Sequence, residues 1–261
     1  MKTIKYIVLF LTVVITSSCE KVIDVDLNDS DQQLVIEGVV QDDVHPATVK
    51  ITRSLNFSQA NNFPSVNDAT VIISDDAGNT DTLPLVSPGV YQSDSVLPLS
   101  GRTYYLTVQT GGKLYTSKSQ MPFLVEFDSL GMDSLSFAGA TNYSIIPYHY
   151  DPAGVKNCYR YKLFVNGQAD KNILVDNDDY TDGKNVSRPL FTDQEMEPGD
   201  NITVEMFNID AAVYLYYFSL SQSGAGPDES ATPANPVSNI NGGSLGYFSA
   251  QTKKTKSIII P

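Results

Sequence analysis

The chain has 261 residues, with 17 basic side chains against 30 acidic ones and a formal net charge of -13. So negative a surface repels phosphate backbones and anionic headgroups, which argues against a nucleic-acid partner and against membrane attachment through a basic patch. Hydrophobic residues make up 41% of the sequence, enough for one large or two ordinary domains with cores of their own.

In chain order, Lys2 and Lys5 come first, followed by an apolar run from Tyr6 to Ile15 and the small residues Thr16, Ser17 and Ser18 directly before Cys19. That layout is a secretory signal, and its apolar run falls short of the roughly 20 residues that a membrane-spanning helix needs. A cysteine at the cleavage point resembles the lipobox of bacterial lipoproteins. The resemblance implies that residues 1–18 are removed as a signal peptide and that Cys19 is acylated, so that lipid holds the chain to a membrane. Each buried acyl methylene contributes about 0.8 kcal/mol, so a multiply acylated cysteine anchors a water-soluble body without a transmembrane helix. Residues 19–33 then read as an acidic tether carrying Glu20, Asp24, Asp26, Asp29 and Asp31. Acids placed this early also resemble the surface-export signal of Bacteroidota lipoproteins, which implies the outer face of the outer membrane. With Cys19 acylated, Cys158 has no disulfide partner within the chain, and its alternating surroundings predict a small buried hydrophobe.

Residues 34–122 read as an all-β unit. The run Leu34 to Val40 is β-rich, and Ala47 to Arg53 alternates with the period of a half-buried strand. Thr70 to Ser74 is followed by the turn residues Asp75-Asp76-Ala77-Gly78-Asn79, and Thr80 to Leu85 returns. Val90 to Gln92, Thr103 to Gln109 and Lys113 to Ser117 complete about seven short strands, with Gly111-Gly112 as a hairpin loop. Strands so spaced predict an immunoglobulin-like β-sandwich, in architecture only, since the Cys-Trp-Cys core is missing.

Met121-Pro122 interrupts the ladder, and residues 123–261 read as a second β-rich domain with strands at Thr141 to Tyr150, Cys158 to Asn166, Lys171 to Val175 and Asn201 to Ile209. Within Cys158 to Val165 the pattern puts Tyr159, Tyr161, Leu163 and Val165 on one face and Arg160 and Lys162 on the other. A helix is predicted near residues 210–222, capped by Asp210, with Val213, Tyr217 and Leu220 at helical spacing and Tyr214 and Phe218 beside them. Its wide apolar arc predicts a largely buried helix. The fold class is therefore mainly β, a sandwich followed by a β-rich domain with one buried helix. Lys253 to Lys256 with Ile258 to Ile260 predict a last edge strand.

Between helix and tail lies Asn235-Pro236-Val237-Ser238-Asn239, then Gly242-Gly243-Ser244-Leu245-Gly246-Tyr247-Phe248. These stretches resemble the C-terminal signature of a Bacteroidota lipoprotein family known as domain of unknown function 4249. The acidic lead after Cys19, Leu34-Val35-Ile36-Glu37-Gly38 and Gly199-Asp200 agree with it. The resemblance implies a surface lipoprotein commonly encoded near TonB-dependent transporters, with no catalytic residues and no cofactor to carry over. Physically, Asn and Ser side chains cap local backbone and Gly242-Gly243 permit a tight turn, so this stretch predicts a buttressed loop. Asn235, Pro236, Ser238 and Asn239 are its candidate recognition residues, with Tyr247 and Phe248 pinning it to the body.

Gly242 to Gly246 also matches the G-x-S-x-G nucleophile elbow, but His45 and His149 both precede Ser244 and the pattern needs a histidine after it. Asp176, Asp178, Asp179 and Asp182 crowd one loop and are weak calcium candidates, although the EF-hand order fails. No other metal and no cofactor is expected. The expectation is thus a non-enzymatic, surface-exposed accessory or ligand-binding subunit of an outer-membrane transporter. A cell-surface hydrolase acting on glycan or peptide and an adhesive or structural protein are the alternatives.

Overall fold

Alternating apolar and polar residues account for most of this architecture. The structure is a computed structural model and describes residues 32–42, 45–55, 62–137, 140–223 and 235–261. The signal, Cys19 and the tether up to Asp31 therefore lie outside the described residues. Eight strands precede Met121: β1 (Leu34–Gln41), β2 (Ala47–Arg53), β3 (Thr70–Asp75), β4 (Thr80–Leu83), β5 (Leu85–Ser87), β6 (Val90–Ser93), β7 (Thr103–Thr110) and β8 (Lys113–Gln120). After it come β9 (Ser129–Phe137), β10 (Ala140–Tyr150), β11 (Cys158–Val165), β12 (Gln168–Ala169), β13 (Leu174–Asn177), β14 (Asn185–Val186) and β15 (Asn201–Ile209). Helix α1 (Ala211–Ser223), β16 (Ile240–Asn241) and the long β17 (Leu245–Ile259) end the chain.

These strands form three sheets. The largest has nine strands, ordered β12-β11-β15-β17-β1-β2-β6-β5 with β13 also on β11. A five-stranded sheet (β16-β8-β7-β3-β4) and a three-stranded sheet (β14-β10-β9) accompany it. Ile36, Val49 and Ile51 of the large sheet share one core with Val71, Ile73, Leu106 and Val108 of the five-stranded sheet. That is the sandwich. Tyr161, Leu163, Val204 and Met206 share a second core with Ile145 of the three-stranded sheet. Met121 belongs to the first core and Val125 to the second. Residues Gln32–Pro261 nevertheless form one compact unit.

Strand β17 joins the halves, and its position corrects two expectations. Its first part, Leu245 to Gln251, pairs in parallel with β1, and Thr252 to Ile259 pairs antiparallel with β15. The tail is therefore the middle of a sheet rather than its edge, and the stretch from Leu245 to Ala250 is strand rather than loop. Sequence pattern hides this because both faces of that segment are covered: Gly246 to Thr252 are all buried, so no alternation survives. Phe248 and Ala250 enter the first core, while Ile258 packs on the second. Gly38 lies opposite Phe248, and a Cβ there would come within 2.8 Å of the Phe248 ring. Gly246 has φ +97°, and a Cβ on it would meet the Ile36 carbonyl oxygen at 2.0 Å, so only glycine fits.

Two further differences concern β9 and α1. Ser129–Phe137 is a strand that its scattered polar residues conceal; it pairs with β10 along its whole length. Asp210 caps the helix as predicted, its Oδ1 accepting from the Val213 amide at 2.9 Å. Only one side of the helix is buried, through Val213, Tyr216 and Tyr217. Leu215 and Phe218 remain 45% and 44% exposed, because a sheet offers one flat face and cannot cover so wide an apolar arc.

Candidate functional site

Because side chains alternate, the nine-stranded sheet has two faces of different character. One carries both cores. On the other, α1 covers Cys158, Phe207, Ile209 and Tyr247. Beyond the helix that face stays open as a recess of about 430 Å³ that runs across β11, β15, β17, β1, β2 and β6.

Three cations border the recess: Arg160, Lys162 and Lys253. The Arg160 guanidinium lies 4.0 Å from the centre of the Tyr217 ring, and the Lys162 ammonium lies 5.6 Å from that of Phe207. Lys253 meets Glu205 at 3.6 Å. Desolvation of its ammonium, together with the Arg160 charge, lowers the Lys162 pKa, and Glu205 pulls the other way. Amides fill the far end. Gln251 donates to Gln41 at 2.7 Å, and Gln92 donates to the Thr48 hydroxyl at 3.2 Å. In a chain of charge -13, one site that gathers three cations around a single carboxylate is a local inversion of sign. Such a lining suits a polar ligand that carries negative charge.

The predicted recognition residues are placed differently. Asn235 is exposed and Pro236 half-buried. Ser238 donates to the Gly246 carbonyl at 2.8 Å. Asn239 bonds both backbone groups of Phe248, donating to its carbonyl at 2.8 Å and accepting from its amide at 2.9 Å. The Ser238 and Asn239 side chains thus substitute for a missing strand beside β17, as buttressing requires. Phe248 is fully buried and belongs to the core. Tyr247 packs in tilted contact with the Tyr216 and Tyr217 rings and borders the recess from the helix side.

The elbow motif leads into strand β17 instead of a helix, and Ser244 is buried with no hydrogen-bond partner for its hydroxyl. His45 pairs with Asp94 at 2.8 Å, whereas His149 is buried against the Tyr159 ring. Cys158 is buried as expected, and burial pushes its thiol up to about 12, which leaves little thiolate at neutral pH.

The four weak calcium candidates divide. Asp176 is tied to Arg188, and Asp179 to Lys156. Asp178 and Asp182 meet Asp151, with one oxygen of each carboxylate within 4.8 Å of the others. Asp151, at the end of the β10 segment, lies 27 positions before Asp178, and sequence reasoning passed over it for that reason.

The family model described as domain of unknown function (DUF4249) matches residues 20–257. The chain belongs to the DUF4249 family. No curated protein matches it. For this DUF4249 chain, the two stretches that carried the resemblance are neighbours in space: Val35 to Gly38 on β1 pairs with Leu245 to Phe248 on β17, and the glycines at 38 and 246 are what let the two strands close. The recess residues of the DUF4249 chain were half visible, since the alternation of β11 already put Arg160 and Lys162 on the face away from the core.

Proposed function

We propose that this DUF4249 protein is a lipid-anchored, surface-facing outer-membrane protein that acts as a ligand-binding accessory subunit beside a TonB-dependent transporter, taking a polar, anion-bearing ligand. The observation that carries the binding role is the recess, where Arg160, Lys162 and Lys253 stand among amide side chains on an otherwise acidic protein. The anchor rests on the signal-like segment ending at Cys19 and on the acidic tether that follows it. No helix among the described residues is long and apolar enough to cross a membrane.

Purification of the natively lipidated protein in several mild detergents tests the assembly. Co-elution with a β-barrel transporter is the expected result, and recovery of the protein alone in every detergent overturns it. Mass analysis of the mature N-terminus tests the anchor, which requires an acylated Cys19.

A further inference from the structure

The acidic cluster of Asp151, Asp178 and Asp182 lies away from the recess and has no part in the reading above. It is built by two interlocked loops, one leaving β10 and the other following β13. The Asp151 amide donates to the Lys184 carbonyl at 2.9 Å, and the Asp178 amide donates to the Asn157 carbonyl at 3.2 Å. In return, Asp178 Oδ2 accepts from the Asn157 amide and Asp182 Oδ1 from the Gly154 amide, both at 2.7 Å. The loops thereby fix where three carboxylates point.

Asp151 marks the cluster as more than a solvated acidic loop. It is wholly buried, and its carboxylate points into the group formed with Asp178 and Asp182. Its Oδ1 accepts from the Tyr159 hydroxyl, but its Oδ2 is buried with no hydrogen-bond partner. A buried carboxylate oxygen left alone is costly, and native proteins pair such atoms with a donor or a cation. Lys156 does not meet this need: its ammonium sits at the exposed rim, bonded to Asp179 and 3.3 Å from Asp178. Burial together with the charges of Asp178 and Asp182 raises the Asp151 pKa, opposed by the Tyr159 hydroxyl and the Gly183 amide.

We propose that Asp151, Asp178 and Asp182 bind one hard divalent cation, calcium, which locks the loop after β10 to the loop after β13. The donors are oxygen only, which selects calcium or magnesium over softer transition metals. Calcium sits about 2.3–2.6 Å from its ligands, so a group of oxygens within 4.8 Å of one another spans about two such bonds. Magnesium, at about 2.0–2.1 Å and octahedral, needs a tighter set and gives up its water reluctantly.

Calorimetric titration of the full chain, first stripped with a chelator, tests this with calcium chloride and magnesium chloride as probes. The expected result is saturable binding of one calcium per chain, a rise in Tm with calcium, and a smaller response to magnesium. Asp151→Asn, which keeps the shape and an acceptor for Tyr159, should weaken calcium binding at least tenfold. Should that variant fail to fold, Asp182→Asn, at the exposed side, should show the same weakening. Asp179→Asn, outside the cluster, should leave calcium binding unchanged. The absence of saturable calcium binding in the native chain, or equal affinity in Asp182→Asn and the native chain, overturns the proposal.

Discussion

The two faces of the nine-stranded sheet come from the same strands and serve different ends. On one face Ile36, Ile51, Phe248, Val204 and Leu163 are sealed under two smaller sheets. On the other, Arg160, Lys162 and Lys253 stand open beside a helix. Successive residues of β11 illustrate the division: Tyr159 and Tyr161 are buried, Arg160 is half-buried and Lys162 is exposed. The covered face holds the two cores, and the open face is the one proposed to meet a ligand.

The sharpest break of this comparison falls at the seam between β1 and β17. Gly246→Val would place a branched side chain at φ +97° and 2.0 Å from the Ile36 carbonyl. Neither strain nor clash can be relieved without parting the strands, so a loss of about 4 kcal/mol or more is expected, with little folded protein recovered. Circular dichroism and soluble yield would check this, and a cooperative, near-native melt would mean that the strands do not pair as described. Next comes Phe248→Ala, which empties a fully buried site against Gly38 and Leu106 and should cost about 3–5 kcal/mol in urea unfolding. A cost below about 1 kcal/mol would put Phe248 on the surface, as a loop-pinning role allows.

Asn239→Ala is milder. It removes the side chain that serves both the amide and the carbonyl of Phe248, and leaves those half-buried groups to find water or go unpaired. The expected loss is about 1–3 kcal/mol, measured by the same unfolding experiment. If the residue served a ligand instead, stability would hold and binding would fall.

How much of this was legible beforehand follows from how many faces of each segment are covered. Strands β1 and β7 bury every second residue, and β2 and β3 nearly so, and their pattern names them. The hairpin loop at Gly111-Gly112 was equally plain, and both glycines take the positive φ that such a turn demands. Strand β17 is buried on both faces over Gly246 to Thr252, so its pattern resembles neither strand nor loop. The parallel pairing with β1 joins residues about 210 positions apart, a partnership no local rule detects. Asp151 failed for the same reason: carboxylates near one another in sequence were grouped, and the structure regroups them across two loops. The open face was read at Arg160 and Lys162 but not at Lys253, which was expected on an edge strand and not in mid-sheet, nor at Gln251, which falls in the doubly covered part of β17.

The finest test of the comparison is Lys162→Ala, where the two faces should give opposite answers. Lys162 is exposed, points away from Leu163 and Tyr161, and lies opposite Glu205 on β15. Its removal gives up attraction to Glu205 and relieves repulsion from Arg160 and Lys253, charges that act on its pKa in opposite directions. Because the side chain is exposed, stability should change by no more than about 0.5 kcal/mol, as for most exposed substitutions. Affinity for an anion-bearing ligand should fall instead, by about tenfold if one charge-assisted hydrogen bond is lost. A glycan or peptide array probed with the native chain and the variant at two salt concentrations measures both the loss and its electrostatic origin. If native and variant chains gave the same array pattern, Lys162 would be solvent-facing decoration and the recess would lose its claim to a ligand; a large drop in stability would place the residue in the covered face instead.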